Sequence, residues 1–548
     1  MTSAHIDTFA HDNLPPTDQW PDLVFDLPEL RFPPQLNCAA ELLDRWVEKG
    51  FGDRVYIRAP GGVAWTYAEM QEKANRIAAV LADDMGLIPG NRVLLRGTNS
   101  PMLAACWFAV MKAGGIAVTT MPLLRAKELT HIIGKARITH ALCDAVLGEE
   151  LRATACPELR RIRYFNSDRA ADDIGGAGLE AAMALRPAHF DTVRTAADDV
   201  CLIAFTSGTT GVPKATMHFH RDVMAVCACF PRHILRPRAE DVFIGSPPLG
   251  FTFGLGGLLL FPATVAASTV LLEKAGPAEL FDAIREYGAT ILFTAPTIYR
   301  ALAGRGDELR NTSLRTCVSA GEPLPAATRD RWRAATGIQI IDGIGATEML
   351  HIFISADAEH ARPGATGLPV PGYRARLVDE TGRAVPPGTA GRLAVKGPTG
   401  CRYLADERQS DYVRDGWNLT GDSYLVDEDG YFHYRARTDD MIISAGYNIA
   451  APEVEDALLA HPAVAECAVV GAPDEERAQL VKAFVVLQPG YRADDDMVRQ
   501  LQEFVKRTVA PYKYPRVVVF RKSLPRTETG KLQRFKLREA DPSTEVVR

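Results

Sequence analysis

The chain is 548 residues long, too long for one hydrophobic core, so two or more domains are expected. Its 47% apolar and 24% charged residues are the composition of an ordinary soluble globular protein. A formal net charge of −6 excludes a whole-chain field suited to nucleic acid, so an anionic substrate must be met by local cations.

Residues 1–30 are polar, acidic and proline-containing, without the apolar region of a signal peptide. Pro15, Pro16, Pro21 and Pro28 discourage helix, so residues 1 to about 35 read as an arm laid over the body. From Cys38 the pattern alternates. Helical spacing of apolar residues predicts a helix over 69–81, and 92–96 reads as a strand. A buried helix over 102–112 stops at Gly114 and Gly115; a strand over 116–119, a helix over 127–133 and a strand over 141–143 follow. This alternation implies a mostly parallel, doubly wound sheet. A polar interval over 168–199 sets off a second half of similar architecture, with strands at 242–244, 268–272 and 290–293. Its helix over 277–287 begins with proline. The most apolar run, 258–272, is broken by Pro262 and too short to span a bilayer.

Past Gly364, short strands at 375–378 and 391–395 between tight turns indicate a small antiparallel β subdomain. After Arg437 the chain becomes a compact α+β unit. It holds a helix from Pro452, strands at 466–470, 483–487 and 516–520, and a helix over 497–509 preceded by Asp494, Asp495 and Asp496. The expected fold is α/β: a large N-terminal domain of doubly wound sheets with the β subdomain (residues 1–437), then a small α+β C-terminal domain (438–548). Ten scattered cysteines form no C-x-x-C pair and read as small buried hydrophobes in a reducing cytoplasm. His218 and His220 lie two apart with no third ligand in view, which favours structural roles.

The stretch Ala204-Phe-Thr-Ser-Gly-Thr-Thr-Gly-Val-Pro-Lys214 is the chemical centre. An apolar strand, 200–204, breaks into hydroxyls and glycines at Thr206, and helical periodicity returns around Asp222. Strand, polar loop and helix make a context in which backbone N–H groups and a lysine wrap phosphate oxygens. Gly208 and Gly211 admit close approach of an anion; Thr206, Ser207, Thr209 and Thr210 add hydroxyls, and Lys214 a point charge. The alternative is an ordinary Gly/Ser/Thr turn. A Walker A pattern cannot be placed here, which weighs against a P-loop NTPase or switch.

Four distant segments complete a set. They are Asp342-Gly-Ile-Gly-Ala-Thr-Glu348, Leu419-Thr-Gly-Asp422, the run from Tyr434 through Arg437, Asp439 and Ser444-Ala-Gly446 to Ile449, and Pro525-Arg-Thr-Glu-Thr-Gly-Lys531. In this order, over roughly residues 45–540, the five motifs resemble those of the adenylate-forming superfamily of acyl-CoA synthetases, adenylation domains and luciferases. The resemblance implies ATP, Mg²⁺ and coenzyme A, and a C-terminal domain that is mobile between two poses. Residues 206–210 and Lys214 would cradle phosphates, with Thr206 and Thr347 among the nucleotide ligands. Glu348 would hold Mg²⁺, a hard cation preferring oxygen. Asp342 and Gly343 would meet adenine, and Asp422 and Arg437 the ribose. Lys531 would steady the carboxylate and α-phosphate as adenylate forms. Asp439 matches the hinge, and Ser444, Ala445 and Gly446 the channel for the thiol. No protein nucleophile is required, because the substrate carboxylate is itself nucleophilic. Taken singly, each of these residues is an ordinary turn or surface residue, Asp422 sitting in a Gly-Asp turn after Trp417; their order favours function.

The acyl pocket implied by the resemblance lies between Ser246-Pro-Pro-Leu-Gly-Phe251-Thr-Phe-Gly-Leu-Gly-Gly257 and the second signature. Phe251, Gly256, Gly345, Met349, Leu350 and His351 would form a short apolar slot instead of a fatty-acyl tunnel. The pattern is similar to benzoate–CoA and especially 2-aminobenzoate–CoA ligases, with His351 either facing a ring substituent or packing. The function expected is ATP-dependent aryl-CoA ligation in the cytoplasm, by a monomer or homodimer with no nucleic-acid or membrane partner. The rival is a stand-alone adenylation enzyme that loads a carrier-protein thiol.

The position of Lys531 on a separate small domain gives a direct test of the two-pose reading. Lys531→Ala is expected to leave ATP binding and Tm nearly unchanged while cutting adenylate formation by on the order of 10²–10³, the scale of a lost preorganised donor. Single-turnover thioester formation from pre-made aryl adenylate should survive. Equal loss of both half-reactions would make Lys531 structural.

Overall fold

The computed structural model describes residues 3–169, 178–206, 213–437, 440–444, 447–474, 478–509, 511–526 and 532–538. Ser207, Gly208, Thr209, Thr210, Asp439, Ala445, Gly446 and Lys531 lie outside them.

The central strand Arg92–Arg96 is buried along its whole length, which is why it reads as a near-continuous apolar run. The guanidinium of Arg96 is satisfied inside by the carbonyls of Met121, Pro122 and Leu124, at 2.9, 2.8 and 2.9 Å. Around it lies a six-stranded sheet in the order Arg161–Phe165, His140–Asp144, Arg92–Arg96, Ile116–Thr120, Val200–Thr206, Lys214–Phe219. All its pairings are parallel except the last. The helix Pro101–Lys112 packs on this sheet, with the Ser100 side chain accepting from the Leu103 N–H and proline in its first turn.

A second sheet has nine strands, parallel through its middle and antiparallel at both ends. Its core strands are Val242–Gly245, Ser268–Val270, Ile291–Thr294, Thr316–Ser319 and Ile340–Gly345. The helix Pro277–Tyr287 covers it, burying Leu280, Phe281, Ala283 and Ile284 at helical spacing.

Three expectations are corrected. The interval 168–199 does not divide two halves: Val200–Thr206 pairs through Leu202 with Ala117 and closes the first sheet. Val55–Ala59 and Val63–Thr66, earlier in the chain, belong to the second. Pairing follows crossovers and not chain order. Next, the phosphate-loop stretch is not strand–loop–helix. Lys214–Phe219 is a strand antiparallel to Val200–Thr206, and helix begins only at His220. Ala215, Met217 and Phe219 alternating with Lys214, Thr216 and His218 is the strand period, overlooked beside the glycines. The loop therefore closes a hairpin, without a helix N-terminus behind it. Finally, Asp422 lies within the strand Trp417–Val426 and not in a turn. Gly421, at φ +78°, kinks that strand where its register shifts.

The β subdomain is a five-stranded antiparallel sheet containing Arg374–Val378, Gly391–Lys396, Trp417–Val426 and Phe432–Arg437. The C-terminal domain has its own sheet, with helices Ala451–Leu459 and Asp495–Thr508 against it. Its separate core includes Val454, Leu458, Val469, Val485, Leu501 and Val505. Asp494 caps the second helix by accepting from the Met497 N–H at 3.0 Å. The N-terminal arm is strapped down by Asp7 to Arg92 at 2.5 Å and by a bridge from Leu23 to Gly397.

The ion pair between Arg402 and Asp222 is wholly buried. Arg402 donates to Asp222 at 2.8 Å, with both side chains at 0% exposure. The rings of Phe219 and Trp20 cover the guanidinium at 4.1 and 5.1 Å. Burial alone would raise the Asp222 carboxyl, yet the Arg402 charge and the His218 contact bring it down to about 2. Its contribution is therefore present above the ordinary carboxylate range and lost as pH falls toward 2. Arg402→Met strands a buried carboxylate and should cost about 3–5 kcal/mol at pH 7 in the denaturant transition of the large domain. A change below about 1 kcal/mol would show the pair to be dispensable.

Candidate functional site

The hairpin Val200–Thr206/Lys214–Phe219 brings Thr206 and Lys214 opposite each other in register. The Thr206 Oγ1 is buried and has no hydrogen-bond partner among the described residues. Across the gap the strand Ile340–Gly345 ends, and a single tight turn, Thr347–Met349, carries Glu348. The Thr347 carbonyl accepts from His218 Nε2 at 2.8 Å, so the hairpin itself fixes the turn. The Glu348 side chain is 10% exposed, and its Oε1 accepts from the Tyr403 hydroxyl at 2.5 Å and lies 3.9 Å from Lys214 Nζ. The Lys214 ammonium sits over the rings of Tyr403 and Tyr412, at 4.8 and 5.7 Å.

The segment bearing Tyr403 is held by main-chain bonds to the hairpin. The Met217 N–H donates to the Arg402 carbonyl and the Leu404 N–H to the Ala215 carbonyl, each at 2.8 Å. Sequence reasoning missed Tyr403, Tyr412 and Arg402 and the part of Asp222 in the site, and it gave His218 a structural role without its partner. The stretch 397–412 carries no period, and its pairing with 215–217 spans nearly two hundred residues of sequence.

Asp422 and Arg437 are paired residues of adjacent strands, their charges 3.6 Å apart. Glu348, Asp422 and Arg437 all act on the buried Tyr412 hydroxyl, which has no partner among the described residues. Asp422 and Asp342 likewise both bear on Tyr424. Three of the expected nucleotide residues, Asp342, Asp422 and Arg437, and the expected metal residue Glu348 thus lie around two tyrosines. Gly343 lies in the strand beside Asp342, where a Cβ would come within 2.8 Å of Ile352.

The expected acyl residues fall on the other side of the same turn. The backbone bends at Leu350, held at φ +69°, a conformation rarely adopted by L side chains. Met349, Leu350 and His351 are buried at 0, 1 and 3% exposure. The His351 ring is enclosed by Phe261, Phe230 and Phe253 at 4.5, 5.6 and 5.8 Å. A Cβ on Gly256 would come within 2.4 Å of His351 Cδ2, so only glycine admits the imidazole. Neither ring nitrogen has a partner in hydrogen-bond geometry. Burial holds the imidazole neutral, down to about 3, against a weak pull from the Phe253 carbonyl. Gly345 is exposed, its backbone close against the His351 carbonyl. Phe251 lines a small void with Thr119, Ala204 and Leu255 beneath the hairpin.

Ser444 lies in the C-terminal sheet, opposite Tyr447 and bonded to the strand at Ala478. Arg526, at the start of the lysine motif, bridges the two domains, reaching Glu322 of the large one at 3.0 Å and Glu466 of the C-terminal one at 3.1 Å. Cys38, Cys201 and His220 place three ligand-type atoms within 4.8 Å of one another. His220 Nδ1, however, already accepts from the Cys38 N–H at 3.2 Å, so the cluster is a hydrogen-bonded part of the core. Among the described residues no helix is long and apolar enough to cross a membrane.

Comparison with known proteins follows this geometry. Residues 43–403 match a family model described as AMP-binding enzyme, and residues 453–531 match the AMP-binding enzyme C-terminal domain. A benzoate–CoA ligase of Thauera aromatica is 38% identical over 525 residues, 94% of this chain and 98% of that one. The crystal structure of an anthranilate CoA ligase in complex with anthranoyl-AMP superposes with a TM-score of 0.86 at 34% identity, covering 94% and 98% of the two chains. That of a benzoate CoA ligase from Burkholderia xenovorans LB400 gives 0.83 at 30% identity, covering 92% and 99%.

Desolvation pushes the Asp342 carboxyl up to about 7. A raised carboxylate keeps its proton below that pH, and only the ionised form is a pure acceptor for an exocyclic amine. Affinity for a sulfamoyl-adenosine probe of constant charge should therefore rise about tenfold between pH 6 and pH 8. Asp342→Asn should flatten the profile. A flat wild-type profile would remove Asp342 from base recognition.

Proposed function

The chain belongs to the AMP-binding enzyme family as an AMP-forming acid–CoA ligase, and we propose that the acid it activates is an arenecarboxylate, 2-aminobenzoate or benzoate. The observation carrying this reading is the His351 enclosure. Three phenylalanines and a glycine whose Cβ would strike the ring surround a neutral imidazole, neither nitrogen of which is in hydrogen-bond geometry with a described residue. A flat ring suits such aromatic walls, and a buried polar atom awaiting a partner suits a ring substituent. The resemblance to ligases named for benzoate and anthranilate supports the same class.

In the first half-reaction a carboxylate oxygen of the acid attacks the α-phosphorus of ATP, and pyrophosphate leaves. In the second, coenzyme A sulfur attacks the acyl carbon and AMP leaves with the C–O bond electrons. Neither step needs a protein nucleophile. The protein's share is orientation and charge placement. Thr206 and Lys214 would hold phosphate oxygens, Asp422 and Arg437 the ribose, and Asp342 the adenine. Lys531 would carry positive charge to the α-phosphate, and residues 444–446 would flank the thiol. The buried Glu348 carboxylate, 3.9 Å from the Lys214 that pairs with Thr206, and the Thr206 hydroxyl, without a partner among the described residues, are hard oxygens that fit Mg²⁺. When bound, that ion would neutralise charge on the triphosphate.

Pyrophosphate release across benzoate, 2-aminobenzoate, hydroxybenzoates, phenylacetate and octanoate tests the assignment. Benzoate or 2-aminobenzoate should exceed octanoate in kcat/KM by at least about a hundredfold, the scale of a poor fit in an apolar pocket. Equal rates with octanoate would overturn the aryl reading and leave the family membership intact.

A further inference from the structure

Resting on the reading of Glu348 as the metal-facing carboxylate, we propose that Tyr403 is a positioning residue that keeps this carboxylate from closing on Lys214 and so sets its affinity for the divalent cation. Two groups compete for the same oxygen. The Tyr403 hydroxyl donates to Glu348 Oε1 at 2.5 Å, and the Lys214 ammonium stands 3.9 Å from it. The ammonium is held short of contact, resting on the π-faces of Tyr403 and Tyr412.

Tyr403 is built to be a fixed donor. Its ring is fully buried, and its neighbours Arg402 and Leu404 are clamped to the hairpin by main-chain bonds. A phenol carries an O–H, and here that O–H is directed at Glu348 Oε1. One tyrosine thus serves both partners, its edge binding the carboxylate and its face the cation. Without the hydroxyl, Glu348 is left with Lys214 as its nearest donor. A closed lysine–glutamate pair would cancel the charge the metal needs and withdraw the ammonium from the phosphates.

Tyr403→Phe removes the donor and keeps the ring. The measurement is Mn²⁺ binding, followed by electron paramagnetic resonance, in the presence of a saturating non-hydrolysable ATP analogue. The expected result is binding weakened about 10–100-fold, the usual effect of losing a hydrogen bond to a metal-ligating group. Pyrophosphate release should recover at high Mg²⁺, and thioester formation from pre-made adenylate should be unchanged. In Lys214→Met/Tyr403→Phe the competing cation is gone, so part of the lost Mn²⁺ affinity should return. Glu348→Gln separates the two layers of the argument. If it weakens Mn²⁺ binding and Tyr403→Phe does not, the role of Tyr403 is overturned. If Glu348→Gln leaves Mn²⁺ binding intact, the metal reading of Glu348 falls, and this inference with it.

Discussion

The buried pair between Arg402 and Asp222 is the contact on which the site depends. Asp222 opens the helix that follows the phosphate hairpin and accepts from the Phe219 N–H at 3.0 Å, so it also fixes where the strand ends. Arg402 belongs to a segment nearly two hundred residues later. Joining them pins residues 402–404 along the hairpin, which puts Tyr403 beneath Glu348 and beside Lys214. His218, one turn before Asp222 and 3.8 Å from it, reaches the other way to the Thr347 carbonyl. A charge pair excluded from water thus stands behind both residues that frame the phosphate site. Such pairs add little net stability compared with a well-packed apolar core, and their best-supported use is to specify one arrangement. Here the arrangement specified is that of the Glu348 turn.

The readable parts of the sequence were those governed by local periods. The helix Pro277–Tyr287 and the strand Arg92–Arg96 coincide with their expected limits, because each is a single-period segment with a proline start or a wholly apolar centre. The strand Lys214–Phe219 has an equally plain period of two, hidden by the expectation that a helix follows a phosphate loop. Asp422 was placed in a turn because Gly-Asp is common in turns; Gly421 instead supplies the positive φ of a kink inside a long strand. The run 252–263 is helical with a π-turn at Gly256–Leu260, against the propensity of its glycines, because it is buried on all sides. Tyr403 left no local trace, since its meaning comes from pairing across the fold. The site was legible as a set of motifs, and its supporting layer was not.

A division of labour runs through the site. The described nucleotide residues lie along strands, at strand ends and in one turn, and the Thr206 hydroxyl has no partner among the described residues. Met349, Leu350 and His351 lie in the core, where aromatic rings enclose the imidazole. The first arrangement suits a ligand rich in charge and hydroxyls. The second suits a flat apolar body whose few polar atoms must find their match inside. Both meet at Thr347–His351, so one short turn divides the two chemistries.

The strand Phe432–Arg437 has a mechanical consequence. Its last residue, Arg437, pairs with Asp422, and the expected pivot at Asp439 follows only two residues further along the chain. The expected grip on the ribose and the expected axle of the C-terminal domain are therefore near neighbours in sequence. Torque applied at the axle would be felt at the ribose, and an occupied ribose site would stiffen the axle. Product departure and domain return would then be one motion seen from its two ends.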